Sequence, residues 1–355
     1  MRAITPRAGT LRGLLLAASL MTAAACGGSP AAPDPAAQFA GQLRVVLDGG
    51  GAVKTLPAGE SAAPTLEDRD AAGRIVTQAP SSYVWSSSDP DIVRAGAGGT
   101  LTAGPGLGHA VVTARAQDGR TATAHVWVQP PQGAPSAYRI TLMYDASVPD
   151  VWRMEFDAAA ARWEQVIRGA LPEAPLVKSA PGVCGTVEGD PPEPPLSGIE
   201  RGTRIWIRVT DSFDTSPYPE AVGGPCQHRP LPSPTVIFGR IAINGKVSIG
   251  QISLPRRRYL ALHEMGHALG LAAVIQGPQP AWFDARADRH MGPMALEGYR
   301  RDSGVNVPHI QMGAGHWQAL PKADVMGGIF QRISPVSAGG LMDIGYPAAW
   351  YGADE

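Results

Sequence analysis

The chain has 355 residues, enough for two or three folded parts, and a formal net charge of −1 at neutral pH, so it has no basic surplus for binding nucleic acid. Its 43 glycines and 34 prolines favour turns, strands and loops over long helices. These values predict a multidomain protein without a nucleic-acid partner.

The first 26 residues have the pattern of an export signal. Several arginines precede and flank an apolar run, residues 14–25, whose 12 residues are too few to span a bilayer as a helix. Small residues directly before Cys26, and a Gly/Ser/Pro spacer after it, resemble a bacterial lipoprotein signal. This resemblance predicts an exported protein on the cell surface or in the periplasm, anchored to a membrane through lipid on Cys26. The alternative is an ordinary secretory peptide cut near Ala25, which would leave the protein secreted.

Two cysteines remain if Cys26 carries lipid. Cys184 and Cys226 form an even pair in an exported protein and are therefore predicted to form a disulfide bond. Two free thiols are the alternative. A role as zinc ligands is disfavoured, because neither residue has a second cysteine at the short spacing of zinc sites.

Residues 39–130 contain short alternating strands separated by turn signals, between a Pro/Ala-rich linker at 27–38 and a second linker at 129–135. The order of the strands, VWSSSDPDIV, GTLTAGPGLGHAVVTAR and TATAHVWV, resembles the immunoglobulin-like domains of bacterial surface proteins. The resemblance implies an all-β sandwich over residues 39–130, with Trp85 in its core. Such a domain serves as a spacer or as an adhesive module.

A second domain is predicted over residues 137–355. Its expected elements are strands at 138–144, 204–210 and 235–244, an amphipathic helix at 154–169, proline-rich loops at 170–200 and 211–234, and a short helix at 338–344. Ser253 and Pro255 are suited to the start of another helix, because residues 256–271 contain no proline. Loops rich in Gly, Pro and Met follow Gly270.

Residues 263–267, HEMGH, have the HExxH pattern within this predicted helix. Helical residues four apart lie about 40° apart around the axis and about 6 Å apart along it, so His263 and His267 can bind one Zn²⁺. Glu264 lies beside the metal and can take a proton from zinc-bound water, whose pKa the metal lowers to about 7. Gly270 can end the helix in the left-handed conformation and turn the chain back beneath the metal. That is the metzincin arrangement, which requires a third histidine and a methionine turn.

The order of motifs from this helix onward resembles the leishmanolysin family of metzincin zinc metallopeptidases. HEMGHALG is followed by a loop ending in Gly-His-Trp, by a methionine in a glycine-flanked turn, and by SAGGLMDIGYP. The earlier segment FDAAAARWEQVIRGALP resembles the first helix of the short exported bacterial members. The resemblance covers roughly residues 137–350 and implies an α+β metzincin-type zinc peptidase domain.

The family has a long insertion before its third metal ligand. The resemblance therefore implies that His316 completes the Zn²⁺ site, far along the chain from Gly270. His290 and His309 are the competing candidates, but neither stands in the Gly-His-Trp context.

Other roles also come from the resemblance. Met326 would form the methionine turn, a hydrophobic floor beneath the metal. Residues 241–244 resemble the edge strand along which a metzincin binds an extended substrate. Asp324 stands two residues before the methionine, where the family pattern has glutamate. Tyr299 and His309 are conceivable donors to the oxyanion.

These features predict a zinc-dependent endopeptidase that hydrolyses extracellular or periplasmic proteins, with zinc-bound water as nucleophile and Glu264 as general base. A rival from another class is a surface adhesion protein whose metallopeptidase domain is structural or inactive. A non-peptidase zinc hydrolase also fits HExxH, but it leaves Gly270 and Met326 unexplained.

Overall fold

The computed structural model describes residues 43–47, 52–69, 74–177, 194–211, 219–230, 234–247, 250–271, 283–284, 288–313 and 315–354. The predicted signal peptide at 1–26, the linker at 27–38, Cys26 and Cys184 lie outside the described residues. The described chain is β-rich with a smaller helical part and contains two large hydrophobic cores. None of its described helices combines the length and hydropathy that crossing a bilayer requires.

The N-terminal part of the described chain is built from strands alone, apart from a short 3-10 turn at Pro80–Ser82. The strands are β1 (Arg44–Val46), β2 (Val53–Pro57), β3 (Ser61–Ala62), β4 (Thr65–Arg69), β5 (Ile75–Gln78), β6 (Val84–Ser87), β7 (Val93–Ala95), β8 (Leu101–Ala103), β9 (Gly108–Arg115) and β10 (Thr121–Gln129). They form three sheets with the orders β1-β4-β5, β3-β8-β7 and β2-β10-β9-β6. All neighbouring strands run antiparallel except β2 and β10, which run parallel.

Period-two alternation builds one core that the three sheets share. On β9, Ala110, Val112 and Ala114 point inward and are fully buried, while the residues between them are partly exposed. Trp85 on β6 belongs to the same core, and its indole Nε1–H donates a 2.8 Å hydrogen bond to the Pro80 carbonyl. The sequence-predicted core position of Trp85 therefore agrees with the structure.

The C-terminal part combines strands with four helices. Its strands are β11 (Ile140–Tyr144), β12 (Ala174–Pro175), β13 (Ile199–Glu200), β14 (Thr203–Thr210), β15 (Ala221–His228), β16 (Val236–Asn244), β17 (Phe283–Asp284), β18 (Arg289–His290), β19 (Ile310–Gly313) and β20 (His316–Trp317). Its helices are α1 (Asp150–Val166), α2 (Leu254–Ala268), α3 (Pro293–Ser303) and α4 (Pro335–Asp343), followed by a 3-10 turn at Trp350–Gly352.

The main sheet of this part has the order β11-β14-β16-β15. The first three strands run parallel and β15 runs antiparallel to β16. Nearly every residue of β14 and β16 is buried, which is the pattern of strands covered on both faces. Helices α1 and α2 pack against each other, and the indole of Trp163 on α1 donates a 3.0 Å hydrogen bond to the Leu262 carbonyl on α2.

The edge-strand expectation for residues 241–244 is wrong. These residues belong to β16, which lies inside the sheet between β14 and β15. The edge strand is β15, within the segment 211–234 that the sequence analysis treated as a loop. Its sequence, AVGGPCQH, holds two glycines and a proline and has little intrinsic strand propensity, so pairing with β16 determines its conformation.

Helix boundaries differ from the sequence predictions mainly at their starts. Helix α1 begins at Asp150, before the predicted start at 154, because the turn that contains the fully buried Trp152 is also helical. Helix α4 begins at Pro335, before the predicted start at 338, and the Ser334 hydroxyl accepts a 3.1 Å hydrogen bond from the Val336 N–H as its cap.

Helix α3 lies in a region predicted to be loop. Its ends carry the usual signals, since Pro293 stands in its first turn and Gly304, with a φ of 72°, follows its last turn. The prediction missed α3 because glycine and methionine dominate its flanks and hide its short apolar period.

The two parts of the chain share a packed boundary. Trp127 on β10 is almost fully buried within the hydrophobic core of the C-terminal part, and Val53 on β2 packs against the same core. The indole of Trp350 donates a hydrogen bond to the Thr55 hydroxyl across this boundary. The β-rich N-terminal part is therefore packed directly on the part that carries the HExxH helix.

A pair of histidines lies beside Trp127 on neighbouring strands. The His109 ring stacks on both His125 and Trp127, at centroid distances of 5.0 and 5.5 Å, and His109 Nε2 lies 2.9 Å from His125 Nδ1. Burial, followed by the neighbouring His125 ring, lowers the pKa of His109 to about 4, although the Asp343 carboxylate opposes the shift. Burial also lowers the pKa of His125.

We expect this pair to make the folded protein acid-sensitive. Between pH 6.5 and 4 the unfolded chain binds a proton at His109 that the folded chain does not, so the free energy of unfolding falls as the pH drops through this window. The expected loss is about 1–3 kcal/mol. Urea unfolding at several pH values measures it, and His109→Gln should flatten the dependence, whereas His309→Gln serves as the control. An unchanged slope in His109→Gln would contradict the prediction.

Candidate metal centre

Helix α2 presents two histidines to one point. His263 and His267 lie one turn apart on a face that is largely buried, and their Nε2 atoms are 3.2 Å apart. The helix follows Ser253 and carries Pro255 in its first turn, as predicted, although the Ser253 side chain makes no capping hydrogen bond. The spacing of four residues accounts for the convergence of the two rings.

The structure brings His316 to the same point. This residue begins β20, which pairs with β19, and its Nε2 lies 3.1 Å from that of His263 and 3.3 Å from that of His267. Nitrogens bound to one zinc at about 2.0–2.1 Å and tetrahedral angles lie about 3.3–3.4 Å apart. The three nitrogens therefore fit a single metal ion, and they are the one group of three or more His, Cys, Asp or Glu in the described chain arranged to hold one.

Backbone carbonyls orient the two helical rings. Nδ1 of His263 lies 2.6 Å from the Val325 carbonyl, and Nδ1 of His267 lies 3.1 Å from the Leu271 carbonyl. Because a carbonyl only accepts, each Nδ1 must carry the proton, which leaves the Nε2 lone pair directed at the centre.

The electrostatics of the two helical rings favour the neutral form that metal binding requires. Burial is the main cause of a pKa lowered to about 4 for His263 and to about 3 for His267. Repulsion from the neighbouring imidazoles lowers both values further. Neither ring is therefore protonated near neutral pH, and both are ready to act as ligands.

A Schellman motif ends helix α2. The Gly270 N–H donates to the His267 carbonyl and the Leu271 N–H donates to the Gly266 carbonyl, both at 2.9 Å, while Gly270 adopts a φ of 95°. This left-handed residue turns the chain back, so that the Leu271 carbonyl reaches the ring of His267. The sequence-predicted turn at Gly270 thus agrees with the structure and also orients a candidate ligand.

Met326 lies beneath the helix between the two histidines. A Cβ added at Gly266 would meet its Sδ well inside van der Waals contact, and the Trp163 ring at 3.1 Å. Met326 is itself completely buried. The glycine of HEMGH therefore allows the sulfur to approach the helix axis, and Met326 forms an apolar floor below the three imidazoles.

Glu264 lies beside the histidines and is 5% exposed. The Gly223 N–H on β15 donates a hydrogen bond to its carboxylate, and the absence of a Cβ at Gly223 lets β15 approach the Glu264 backbone closely. Burial raises the pKa of Glu264 to about 8, against the smaller opposing effects of this hydrogen bond and of Arg256. A dication held by the histidines would stabilise the carboxylate and act against burial.

Several sequence candidates lie elsewhere. His290 is buried, its Nε2 lies 3.0 Å from an Asp343 carboxylate oxygen, and it does not belong to the cluster of three histidines. His309 is partly exposed and also lies outside that cluster. Tyr299 packs against the hydrophobic core. No contact described here joins Tyr299 or His309 to the three imidazoles.

The predicted disulfide falls partly outside the described residues. Cys226, on β15, is 6% exposed and is disulfide-bonded. Cys184 and Cys26 are not among the described residues, so the Cys184–Cys226 pairing stays a prediction.

Sequence reasoning missed the groups that orient the ligands. The carbonyls of Val325 and Leu271 act through the backbone, so side-chain identity carries no signal for them. Gly223 was assigned to a loop, although the Gly-Gly pair could have indicated a close backbone approach.

Comparison with known proteins yields little. No protein-family model matches the chain, and no curated protein matches it significantly. Among solved structures, a C-terminal 282-residue fragment of intimin, in complex with the intimin-binding domain of the translocated intimin receptor, has 17% identity and a TM-score of 0.17. That match covers 33% of this chain and 36% of the fragment.

A GH10 xylanase from termite gut that contains a bacterial Ig-like domain has 18% identity and a TM-score of 0.14. This match covers 28% of the present chain and 26% of the xylanase chain. The chain thus spans only about a third and a quarter of the two matched structures. Likenesses this weak carry no argument about function.

Proposed function

We propose that this chain is an exported zinc endopeptidase, with an immunoglobulin-like domain followed by a leishmanolysin-like, metzincin-type peptidase domain. The observation that carries the proposal is the meeting of three imidazole Nε2 atoms at 3.1–3.3 Å beside the buried carboxylate of Glu264. The Cys26 lipid anchor and the extracellular or periplasmic location belong to the same proposal.

The roles of the side chains follow from their chemistry. His263, His267 and His316 would hold Zn²⁺, which when bound supplies a Lewis acid and lowers the pKa of water. The Glu264 carboxylate accepts the proton of the attacking water and returns it to the leaving amine nitrogen. The Gly223 N–H keeps that carboxylate oriented, and burial keeps competing water away from it.

The edge of the main sheet supports a peptide substrate. Strand β15 is the edge strand, and its Gly223 contacts the helix at Glu264. An extended peptide that adds to β15 would therefore run past the metal centre, with its scissile carbonyl near Glu264. Gly223 and Gly224 carry no side chains that would obstruct it. We therefore assign to β15 the substrate role expected earlier for residues 241–244.

The rival, an adhesion protein with a structural zinc site, fits the metal centre less well. Structural zinc sites are commonly closed by four protein ligands, whereas catalytic sites keep one position open. The cluster in the described chain offers three histidines and no fourth ligand. An open position is what a hydrolytic site requires.

Metal removal tests the proposal. We expect about one zinc per purified chain, hydrolysis of casein, complete loss of hydrolysis with 1,10-phenanthroline, and recovery when zinc is added back. The isomer 1,7-phenanthroline, which does not chelate, serves as the control. Stoichiometric zinc without cleavage of casein or gelatin would favour the adhesion protein, and folded protein that binds no zinc would overturn the proposal.

A further inference from the structure

Asp324 is a buried carboxylate that does not belong to the cluster of three histidines. It is 1% exposed and accepts three hydrogen bonds: 2.7 Å from the Met326 N–H, 2.9 Å from the Ser334 N–H and 2.9 Å from the Ser337 hydroxyl. It thereby ties the turn at residues 324–326 to the start of helix α4. Three donors around one buried carboxylate make a rigid junction.

The same junction reaches the strand that carries His316. The Ser337 hydroxyl, which donates to Asp324, accepts a 3.0 Å hydrogen bond from the Trp317 indole. The Trp317 backbone N–H donates a 3.0 Å bond to the Met326 carbonyl. Trp317 is therefore held at both its ring and its backbone, and its position determines where His316 points.

The turn also contacts the helix that carries the other two histidines. The Val325 carbonyl accepts from Nδ1 of His263, and the Met326 sulfur lies against Gly266. Residues 324–326 thus touch both separate segments that contribute imidazoles. A shift of this turn would move His316 relative to α2.

We propose that Asp324 is the positioning residue of the metal centre, which holds the turn at 324–326 so that the three imidazoles stay at coordinating separation. It acts through Trp317 and Val325, without touching the metal. The inference rests on the proposed function, because it requires that the three histidines bind zinc. It makes affinity for zinc, and not only stability, depend on this carboxylate.

The test is the zinc dissociation constant of the full chain, measured by competition with a chromophoric chelator. Asp324→Asn keeps the shape but replaces an acceptor oxygen by an amide donor, and we expect about 10–100-fold weaker binding. Ser337→Ala removes the link to Trp317 and should weaken binding about 3–10-fold. This milder variant keeps the test decisive if Asp324→Asn does not fold. The cobalt(II) absorption spectrum should change in both variants, because it reports ligand geometry.

Glu200→Gln is the matched control. Glu200 is another buried carboxylate, but it accepts from the Gly202 N–H and from Arg204, away from the turn. It should lower the melting temperature without changing zinc affinity or the cobalt spectrum. Wild-type affinity and spectrum in folded Asp324→Asn and Ser337→Ala would overturn the positioning role, even if wild-type protein binds zinc and cleaves casein. A wild-type chain that binds no zinc would overturn this inference together with the proposed function.

Discussion

Replacing Glu264 with glutamine is expected to leave about one zinc per chain and to reduce kcat/KM for peptide hydrolysis by about 10²–10⁴-fold. Glutamine has nearly the same shape, and its amide oxygen can still accept from the Gly223 N–H, so the helix and its histidines should not move. The amide nitrogen has no lone pair with which to take a proton from water. The loss should therefore fall on the chemical step, with little change in KM.

Glu155→Gln is a suitable control for this experiment. Glu155 is also a buried glutamate beside helix α2, where it pairs with Arg258 at 3.2 Å, but it does not contact the histidines. Its variant should retain zinc and hydrolysis, apart from a modest loss of stability. Cleavage at the wild-type rate by zinc-loaded Glu264→Gln would refute the general-base assignment, whatever the metal content.

Replacing Gly266 with alanine should destabilise the protein, although the same change in an exposed helix stabilises by about 1 kcal/mol. The new Cβ would collide with the Sδ of Met326 and crowd the Trp163 ring. Both neighbours are completely buried, so neither can move without disturbing the core. We expect a loss of about 1–3 kcal/mol in the free energy of unfolding and weaker zinc binding, measured by urea unfolding and chelator competition.

A double-mutant cycle with Met326→Ala separates this collision from a general effect on the helix. Removing the methionine side chain creates room for the new methyl group, so Gly266→Ala should cost much less in that background than in the wild type. The single variant Met326→Ala will itself be destabilised by about 2–5 kcal/mol, because it leaves a cavity. Equal costs of Gly266→Ala in both backgrounds would show that the contact with Met326 does not explain the glycine.

The sequence by itself determined the features that depend on a few consecutive residues. The convergence of His263 and His267 follows from helical spacing, and the turn after α2 follows from the freedom of Gly270 to adopt a positive φ. The alternation that buries one face of β9 is equally local. His316 is different, because only the resemblance to a known family singled it out among the histidines; no spacing within the chain did so.

Only the tertiary structure decided which distant segments meet. Strand β15 contains Gly223 and Gly224, has little propensity of its own, and becomes the sheet edge through pairing with β16. The Val325 carbonyl orients His263 through the backbone, which every residue possesses, so no sequence pattern could mark it. Trp127 enters the core of the second part because two separately patterned surfaces are complementary. Each of these contacts joins residues far apart in the chain, and local periodicity contains no information about such pairs.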